Sequence, residues 1–339
     1  MTAQIHTLIL AAGKGTRMKS ELPKVVHPVL GRPMVSYVID AAEAVGSAKT
    51  MVITGYKSDV VKSALSDYQV GFVEQTEQLG TGHAVQCYAK SEPEIPDHLL
   101  VICGDTPLIS RQTLKEMIAL HLKENPAITM MTLEMAEPGN YGRIIRKNNQ
   151  VMAIREAKDC SPQQLEIKEV NLAVYLFEAR FLFDNIFKLN SQNSQNEFYL
   201  TDLIEMAHSQ GLKILACIEK DEASTLGINS RQHLAQVGRI LQRKVIEELM
   251  DSGVTIVDPD QTFIGPDVKI GPDCTVWPGC VLKGRCEIGA NSEIGPNTVI
   301  SNSKIGKNCK LPGSFIENSV IEDNLALEPF TSFVSVIRS

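Results

Sequence analysis

A six-residue spacing governs the end of the chain. Ile264, Ile270, Val276, Leu282, Ile288, Ile294 and Ile300 fall on it without a break. After a one-residue slip Ile305 and Leu311 continue it, and Ile321, Leu327 and Phe333 are expected to complete a third register. Seven consecutive matches are not chance. The residue two before each aliphatic is small or modest: Thr262, Val268, Cys274, Cys280, Cys286, Ser292, Thr298, Ser303 and Cys309. Alternate side chains of extended backbone share a side, so both sets are expected to face inward, the small ones giving room at the axis.

This pattern resembles the hexapeptide repeat of left-handed parallel β-helices, in which three hexapeptides complete one triangular coil. About four coils of roughly eighteen residues are then expected. The repeat also disposes of a tempting metal site. Cys274, Cys280 and Cys286 look like a ligand array, but each holds the small inward position that Ser and Thr hold elsewhere, and no His or second Cys lies at metal-site spacing.

Upstream, from Ile5 to about Cys217, short β-branched runs alternate with amphipathic ones. Strands are predicted at 5–11, 50–54, 70–74, 98–103, 127–135, 150–156, 171–177 and 212–218, and helices at 34–45, 57–66, 82–90, 111–124, 179–188 and 199–209. That order gives an α/β domain with a mostly parallel sheet, Rossmann-like in layout. Residues 229–251 read as a connecting helix with Leu234, Val237, Ile240, Leu241, Val245 and Ile246 on one face, capped by Asn229 or Ser230. With 339 residues the chain exceeds one ordinary core, and the expected division is 1–228, 229–251 and 252–339.

Net charge is −7, which argues against wholesale nucleic-acid binding and makes any basic cluster a local exception. No apolar run is long enough for a membrane span and no signal peptide is legible, so a cytoplasmic protein with reduced cysteines is expected.

One basic cluster follows the first strand. Leu8 to Lys24, LILAAGKGTRMKSELPK, runs from buried aliphatics into Gly13 and Gly15, with Lys14, Arg17, Lys19 and Lys24 set against one acid, Glu21. Glycines let backbone N–H groups approach an anion, which suggests a phosphate site beside the alternative of an ordinary βα turn. Neither the Walker loop nor the dinucleotide fingerprint fits the spacing. A second candidate loop, Gly104-Asp105-Thr106-Pro107-Leu108, follows the 98–103 strand. A carboxylate at that sheet edge, together with substrate phosphates, is a common way to hold Mg²⁺, while an Asp that starts a turn before Pro107 is the plainer reading.

Leu-x-x-Gly-x-Gly-Thr-Arg followed by Pro-Lys matches the signature of the sugar-nucleotide pyrophosphorylases. The further blocks QLGTGHA (78–84), GDTPL (104–108), YGR (141–143), EAKD (156–159), EVN (169–171), FYLTD (198–202) and GINSR (227–231) are similar, in order, to the GlmU-type uridylyltransferases. The resemblance implies that Ala11, Ala12, Gly13, Gln75, Gly80 and Thr81 hold uracil, and that Arg17 and Lys24 neutralise the triphosphate as catalytic residues. It further implies that Asp105 and Asn229 bind Mg²⁺, and that Gly142, Glu156 and Asn171 contact N-acetylglucosamine 1-phosphate. The reaction implied is attack of that phosphate on the α-phosphorus of UTP with loss of pyrophosphate. His83 is assigned packing or capping.

Two departures from the family stand out. Leu172-Ala173 replaces the usual Thr-Gly after Asn171, and Cys103 stands where tyrosine is frequent. The first leaves another sugar 1-phosphate open as substrate; another nucleotide and a non-catalytic regulatory role are the remaining alternatives. GlmU-type proteins carry an acetyl-CoA-dependent acetyltransferase on later β-helix coils, and the repeat here fades after Leu327, so that activity is expected to be absent. The family's side-by-side β-helices imply a possible homotrimer, with a lid or spacer role as the alternative for so short a stack.

Overall fold

The computed structural model describes residues 3–92 and 94–335. It divides into two compact units. One comprises the residues up to His27 with Pro33–His233, the other Pro28–Arg32 with the residues from Leu234 onward.

The strands before the β-helix are β1 (Ile5–Leu10), the short β2 (Pro28–Val29) and β3 (Arg32–Pro33), β4 (Lys49–Thr54), β5 (Gly71–Glu74), β6 (His98–Cys103), β7 (Ile128–Glu134), β8 (Arg143–Lys147), β9 (Gln150–Arg155), β10 (Glu169–Glu178) and β11 (Ile214–Ile218), of which β2 and Arg32 of β3 belong to the second unit and the others to the first. The helices are α1 (Met34–Ala44), α2 (Ser58–Ala64), α3 (Thr81–Ser91), α4 (Arg111–Glu124), α5 (Pro162–Leu165), α6 (Ala179–Asn185) and α7 (Asp202–Ser209). The main sheet runs β11-β7-β10-β6-β1-β4-β5. It is parallel except for β10, which pairs antiparallel with both β6 and β7.

The aliphatic run of β1 is buried on both faces because it lies between β4 and β6 with helices above and below, which is how a central parallel strand reads in sequence. α1 buries Val35, Val38, Ile39 and Ala42, the i, i+3, i+4, i+7 stripe of a helix on a sheet. Ser110 caps α4 by accepting the Thr113 N–H at 3.1 Å. β8 has no counterpart among the predicted strands. It forms a hairpin with β9 through Asn148 and Asn149, both at positive φ, a turn chemistry close to the Asn-Gly signal but without its glycine.

In the second unit short strands stack into three parallel sheets, the faces of a left-handed β-helix. The inward aliphatics Ile264 to Leu311 are buried, as are all nine small partners two residues before them. The third register keeps its expected columns, Ile321 pairing with Ile305 and Phe333 with Ile316, but Ile316 joins the inward set outside the expected series. Ile316 and Ile321 are the buried pair, while Leu327 is half-buried and Phe333 is 38% exposed. Coil length moves Ile316 off the six-residue spacing: Val281 follows Phe263 and Val299 follows Val281 by eighteen residues, but Phe315 follows Val299 by sixteen. Asn297, Asn302, Asn308 and Asn318 sit at positive φ in the turns between strands, a conformation asparagine tolerates.

The helix after Asn229 is α8 (Arg231–Asp251). Ser230 accepts the His233 N–H at 3.2 Å and so provides the cap. Of its six expected core residues only Val237 and Ile246 are buried. Ile246 joins the β-helix core, with Val245, Leu249 and Met250 beside it.

Candidate active site

The loops after β1 and β6 meet at the carboxyl edge of the sheet, where Gly104 N–H donates to Leu10 O at 2.9 Å. Two cavities open there, of about 270 and 520 Å³, and Leu10, Thr81, Cys103 and Asp105 line both. All thirteen residues expected from sequence to form the site line one cavity or the other.

The smaller cavity is walled by Ala11, Ala12, Gly13, Lys24, Gln75, Gly80 and Thr81. Gln75 is buried, its Nε2 donates to Gly80 O at 3.1 Å and lies 3.1 Å from His83 Nδ1. His83 therefore holds the amide that faces the cavity, an orienting role in keeping with packing over chemistry. Gly80, at φ 105°, passes so close to the 198–202 block that a Cβ would lie 2.7 Å from Phe198 O. Gly82 N–H donates to that carbonyl at 2.8 Å, and Leu200 N–H donates to Thr81 Oγ1 at 3.1 Å. The sequence blocks at 78–84 and 198–202 are thus two sides of one wall.

At the seam between the cavities lie two cations. Lys24 Nζ donates to Asp105 Oδ2 and, at 2.7 Å, to Asn229 Oδ1. Arg17 Nη2 donates to the same Asn229 oxygen at 2.9 Å. Ile228 N–H donates to Asp105 O at 2.9 Å, which ties the 227–231 block to the 104–108 loop. Lys14 lies over the Tyr56 ring, 5.2 Å from its centroid, and Glu21 pairs with Lys57 at 2.9 Å. Of the four cations close in sequence, Lys24 lines the smaller cavity and Arg17 the larger.

The larger cavity is lined by Gly142, Glu156, Asn171 and Asn229, with Tyr141, Leu172, Ala173, Tyr175 and Thr201. Asn171 N–H donates to Gly142 O at 2.9 Å, joining two of the sequence blocks across β8 and β10. Burial pushes the Glu156 carboxyl above the usual range, against one bond from Thr201 Oγ1 at 3.3 Å. Between Asn171 and Tyr175 the register of β10 against β7 shifts, and Ala173 stands at φ 54°. Asn171 pins this bulge, its Oδ1 accepting Ala173 N–H at 3.1 Å and its Nδ2 donating to Tyr175 OH at 2.6 Å. The Leu-Ala departure thus falls on a left-handed position, where glycine is the unstrained residue. Cys103 closes the floor, its thiol pushed up to about 12 by burial, which leaves it neutral and unreactive. Tyr141, Tyr175 and Thr201 lay inside or beside recognised blocks but carried no spacing signal of their own.

Among the described residues no group of three or more His, Cys, Asp or Glu could hold a metal. The donor set nonetheless fits a hard cation that keeps part of its shell for waters and phosphates: a carboxylate and an amide oxygen already converge on one positive charge, Lys24 Nζ.

The family profile of the MobA-like NTP transferase domain matches residues 7–164, and that of the bacterial transferase hexapeptide (six repeats) matches residues 267–302. The chain is 42% identical to the bifunctional protein GlmU of Pelobacter propionicus over 96% of its own length and 71% of that protein. It is 44% identical to the bifunctional protein GlmU of Fervidobacterium nodosum over 96% of its length and 70% of that protein. A crystal structure of UDP-glucose pyrophosphorylase complexed with UDP-glucose shares the fold at a TM-score of 0.59 and 18% identity, covering 72% of this chain and 100% of that one. With the sequence blocks gathered around two adjoining cavities and the hexad repeat coiled behind them in sequence, the chain is a nucleotidyltransferase of the GlmU family.

Proposed function

We propose that the chain transfers uridylyl from UTP to N-acetylglucosamine 1-phosphate, giving UDP-N-acetylglucosamine and pyrophosphate, with Mg²⁺ held by Asp105 and Asn229. The observation that carries this reading is the seam: two cavities share Asp105, and Lys24 and Arg17 stand at the junction. A phosphate oxygen of the sugar 1-phosphate bonds to the α-phosphorus as the bond to the bridging oxygen of pyrophosphate breaks. A phosphate monoester is already a nucleophile near neutral pH, so the protein needs to align the groups and offset charge rather than abstract a proton.

Ala11, Ala12, Gly13, Gln75, Gly80 and Thr81 take the uracil in this reading, with backbone groups and the Gln75 amide reading the base edge. Arg17 and Lys24 meet the phosphates that become the leaving group. Gly142, Glu156 and Asn171 hold the sugar. The metal, when bound, draws charge from the phosphate oxygens. The protein acts in the cytoplasm in this reading; among the described residues no helix is long and apolar enough to cross a membrane. Assembly as a trimer is supported by one β-helix face whose outward column is Phe263, Val281, Val299 and Phe315, where the other two faces carry Glu293 and Lys310, or Lys269, Glu287 and Lys304.

The test is pyrophosphate release with UTP, Mg²⁺ and a panel of sugar 1-phosphates. N-acetylglucosamine 1-phosphate is expected to be the best acceptor. Lys24→Ala and Asp105→Ala are each expected to lose more than about 100-fold in turnover with the fold intact by circular dichroism; near-normal turnover in either variant would overturn the assignment. Glucose 1-phosphate as the preferred acceptor would point instead to the Leu172-Ala173 bulge as having changed the sugar.

A further inference from the structure

Lys24 stands where a metal ion would be expected to stand. Its ammonium donates both to Asp105 Oδ2 and to Asn229 Oδ1, the two oxygens assigned above to the divalent cation. We propose that Lys24 and the divalent cation are alternative occupants of this one pair of donors, so that loading the site with metal and nucleotide is an exchange in which the ammonium leaves Asp105 and Asn229 and follows the phosphates. The proposal rests on the assignment of Asp105 and Asn229 as metal ligands.

Three features of the site support the exchange. First, the pair is shielded: the side chains of Lys24 and Asp105 are 13% and 23% exposed, so water weakens their attraction less than at an open surface, and a second cation brought to the same oxygens meets the first at close range. Second, the tip has more freedom than the stem. Gly15 packs so closely against the Lys24 Cβ and Cδ that no Cβ fits between them, whereas a lysine ammonium is a compact charge on a flexible chain with three rotatable donors. Third, Arg17 Nη2 donates to Asn229 Oδ1 at 2.9 Å independently of Lys24, a second bond that can keep the amide aimed at the seam when Lys24 leaves it.

The exchange has a thermodynamic consequence. Metal alone must displace an ion pair, whereas metal arriving with a triphosphate gives the displaced ammonium a new anionic partner. Metal and nucleotide should therefore strengthen each other's binding beyond their direct contact, and Lys24 is the residue that couples them.

The experiment reads binding of Mn²⁺ alone, without nucleotide, by the loss of the free-ion electron paramagnetic resonance signal on titration. Lys24→Met is expected to bind Mn²⁺ about tenfold more tightly than the unaltered chain, since the competitor is gone. Lys24→Gln, as a second neutral replacement, should do the same. Lys14→Met removes an equal charge that rests on Tyr56 and not on the donors, and should change the affinity by less than about twofold. Adding Asp105→Asn to Lys24→Met should abolish the gain.

Equal or weaker affinity in both Lys24 variants, including no measurable binding at millimolar Mn²⁺, overturns the exchange; a fall in affinity on Asp105→Asn in the otherwise unaltered chain would then leave the ligand assignment standing. A gain as large in Lys14→Met overturns it as well, because general charge would explain both. If the double variant keeps the full gain, the metal does not bind at Asp105, and the ligand assignment falls together with the exchange.

Discussion

Gly15 and Lys24 are in contact across nine residues of chain: a Cβ placed on Gly15 would lie 2.5 Å from the Cβ of Lys24. Gly15 is also at φ 64°, so the glycine serves both a left-handed turn and a close approach. Lys24, catalytic in the proposed reading, is thereby placed by a residue that touches no substrate in that reading.

Gly15→Ala is accordingly expected to move Lys24 off the seam. Turnover should fall about 100-fold, as for other misplacements near 1 Å. Stability should fall by about 1–2 kcal/mol for the left-handed alanine. Pyrophosphate release and urea denaturation on the same protein separate the two effects.

The bulge in β10 makes the opposite case. Ala173 occupies φ 54° in the unaltered chain, so Ala173→Gly should relieve strain. The gain is expected at about 0.5–1 kcal/mol, since the greater freedom of glycine in the unfolded chain offsets part of it. Urea midpoints at unchanged slope provide the measurement, and a lower midpoint would show that the Ala173 methyl packs usefully in the cavity wall.

Glu156 makes the stability depend on pH. Burial raises its folded pKa above the unfolded value, so the folded protein holds the proton more tightly than the unfolded chain does. Its contribution favours folding at low pH and is lost as pH rises through the raised folded value. Asp202 shifts in the same direction, again through burial. Glu156→Gln should therefore be more stable than the unaltered chain at pH 7, with the difference closing as pH falls toward the ordinary carboxylate range. KM for the sugar 1-phosphate should rise in the same variant. Melting curves between pH 4 and 8 check the first, and steady-state kinetics the second.

The inward columns of the β-helix differ in what they tolerate. Ile294 is fully buried, and Ile294→Ala should cost about 2–5 kcal/mol through the cavity it leaves. Cys280 is buried too, with Sγ 3.5 Å from Ile294 O, but Ser and Thr hold the equivalent place in other hexads. Cys280→Ser should cost less than about 1 kcal/mol, its hydroxyl donating to that carbonyl. Chemical denaturation with and without a zinc chelator tests both points, and a chelator effect would revive the metal reading of the cysteines.

Sequence pattern was most informative where one physical demand acted alone. The hexads were legible because inward packing repeats, and the strands of the α/β unit because buried parallel strands are unbroken aliphatic runs. Ile316 was not legible, since the coil shortens by two residues there and the shortening is set by turn geometry. β8 was hidden because Arg143 to Lys147 carries charges at both ends and turns on two asparagines rather than Asn-Gly. At the site, Gln75, Asp105 and Asn229 lay far apart in sequence, and only the resemblance grouped them. Lys14, close in sequence to Arg17, lies over Tyr56 instead, because neighbours on a tight loop point in different directions. The anchoring of Gln75 by His83, and of the Ala173 bulge by Asn171, is tertiary geometry with no one-dimensional signature.

The coil of the second unit pairs each strand only with those one turn before and one turn after, as in the column Phe263, Val281, Val299, Phe315 and Ser332. Such a stack has short-range cooperativity. Its free energy accumulates coil by coil, so a lesion at Ile294 is felt by its neighbouring turns and fades beyond them. Melting of this unit should then proceed by unwinding from a weak turn, a broad transition, while the α/β unit, whose strands are exchanged across the whole sheet, comes apart at once.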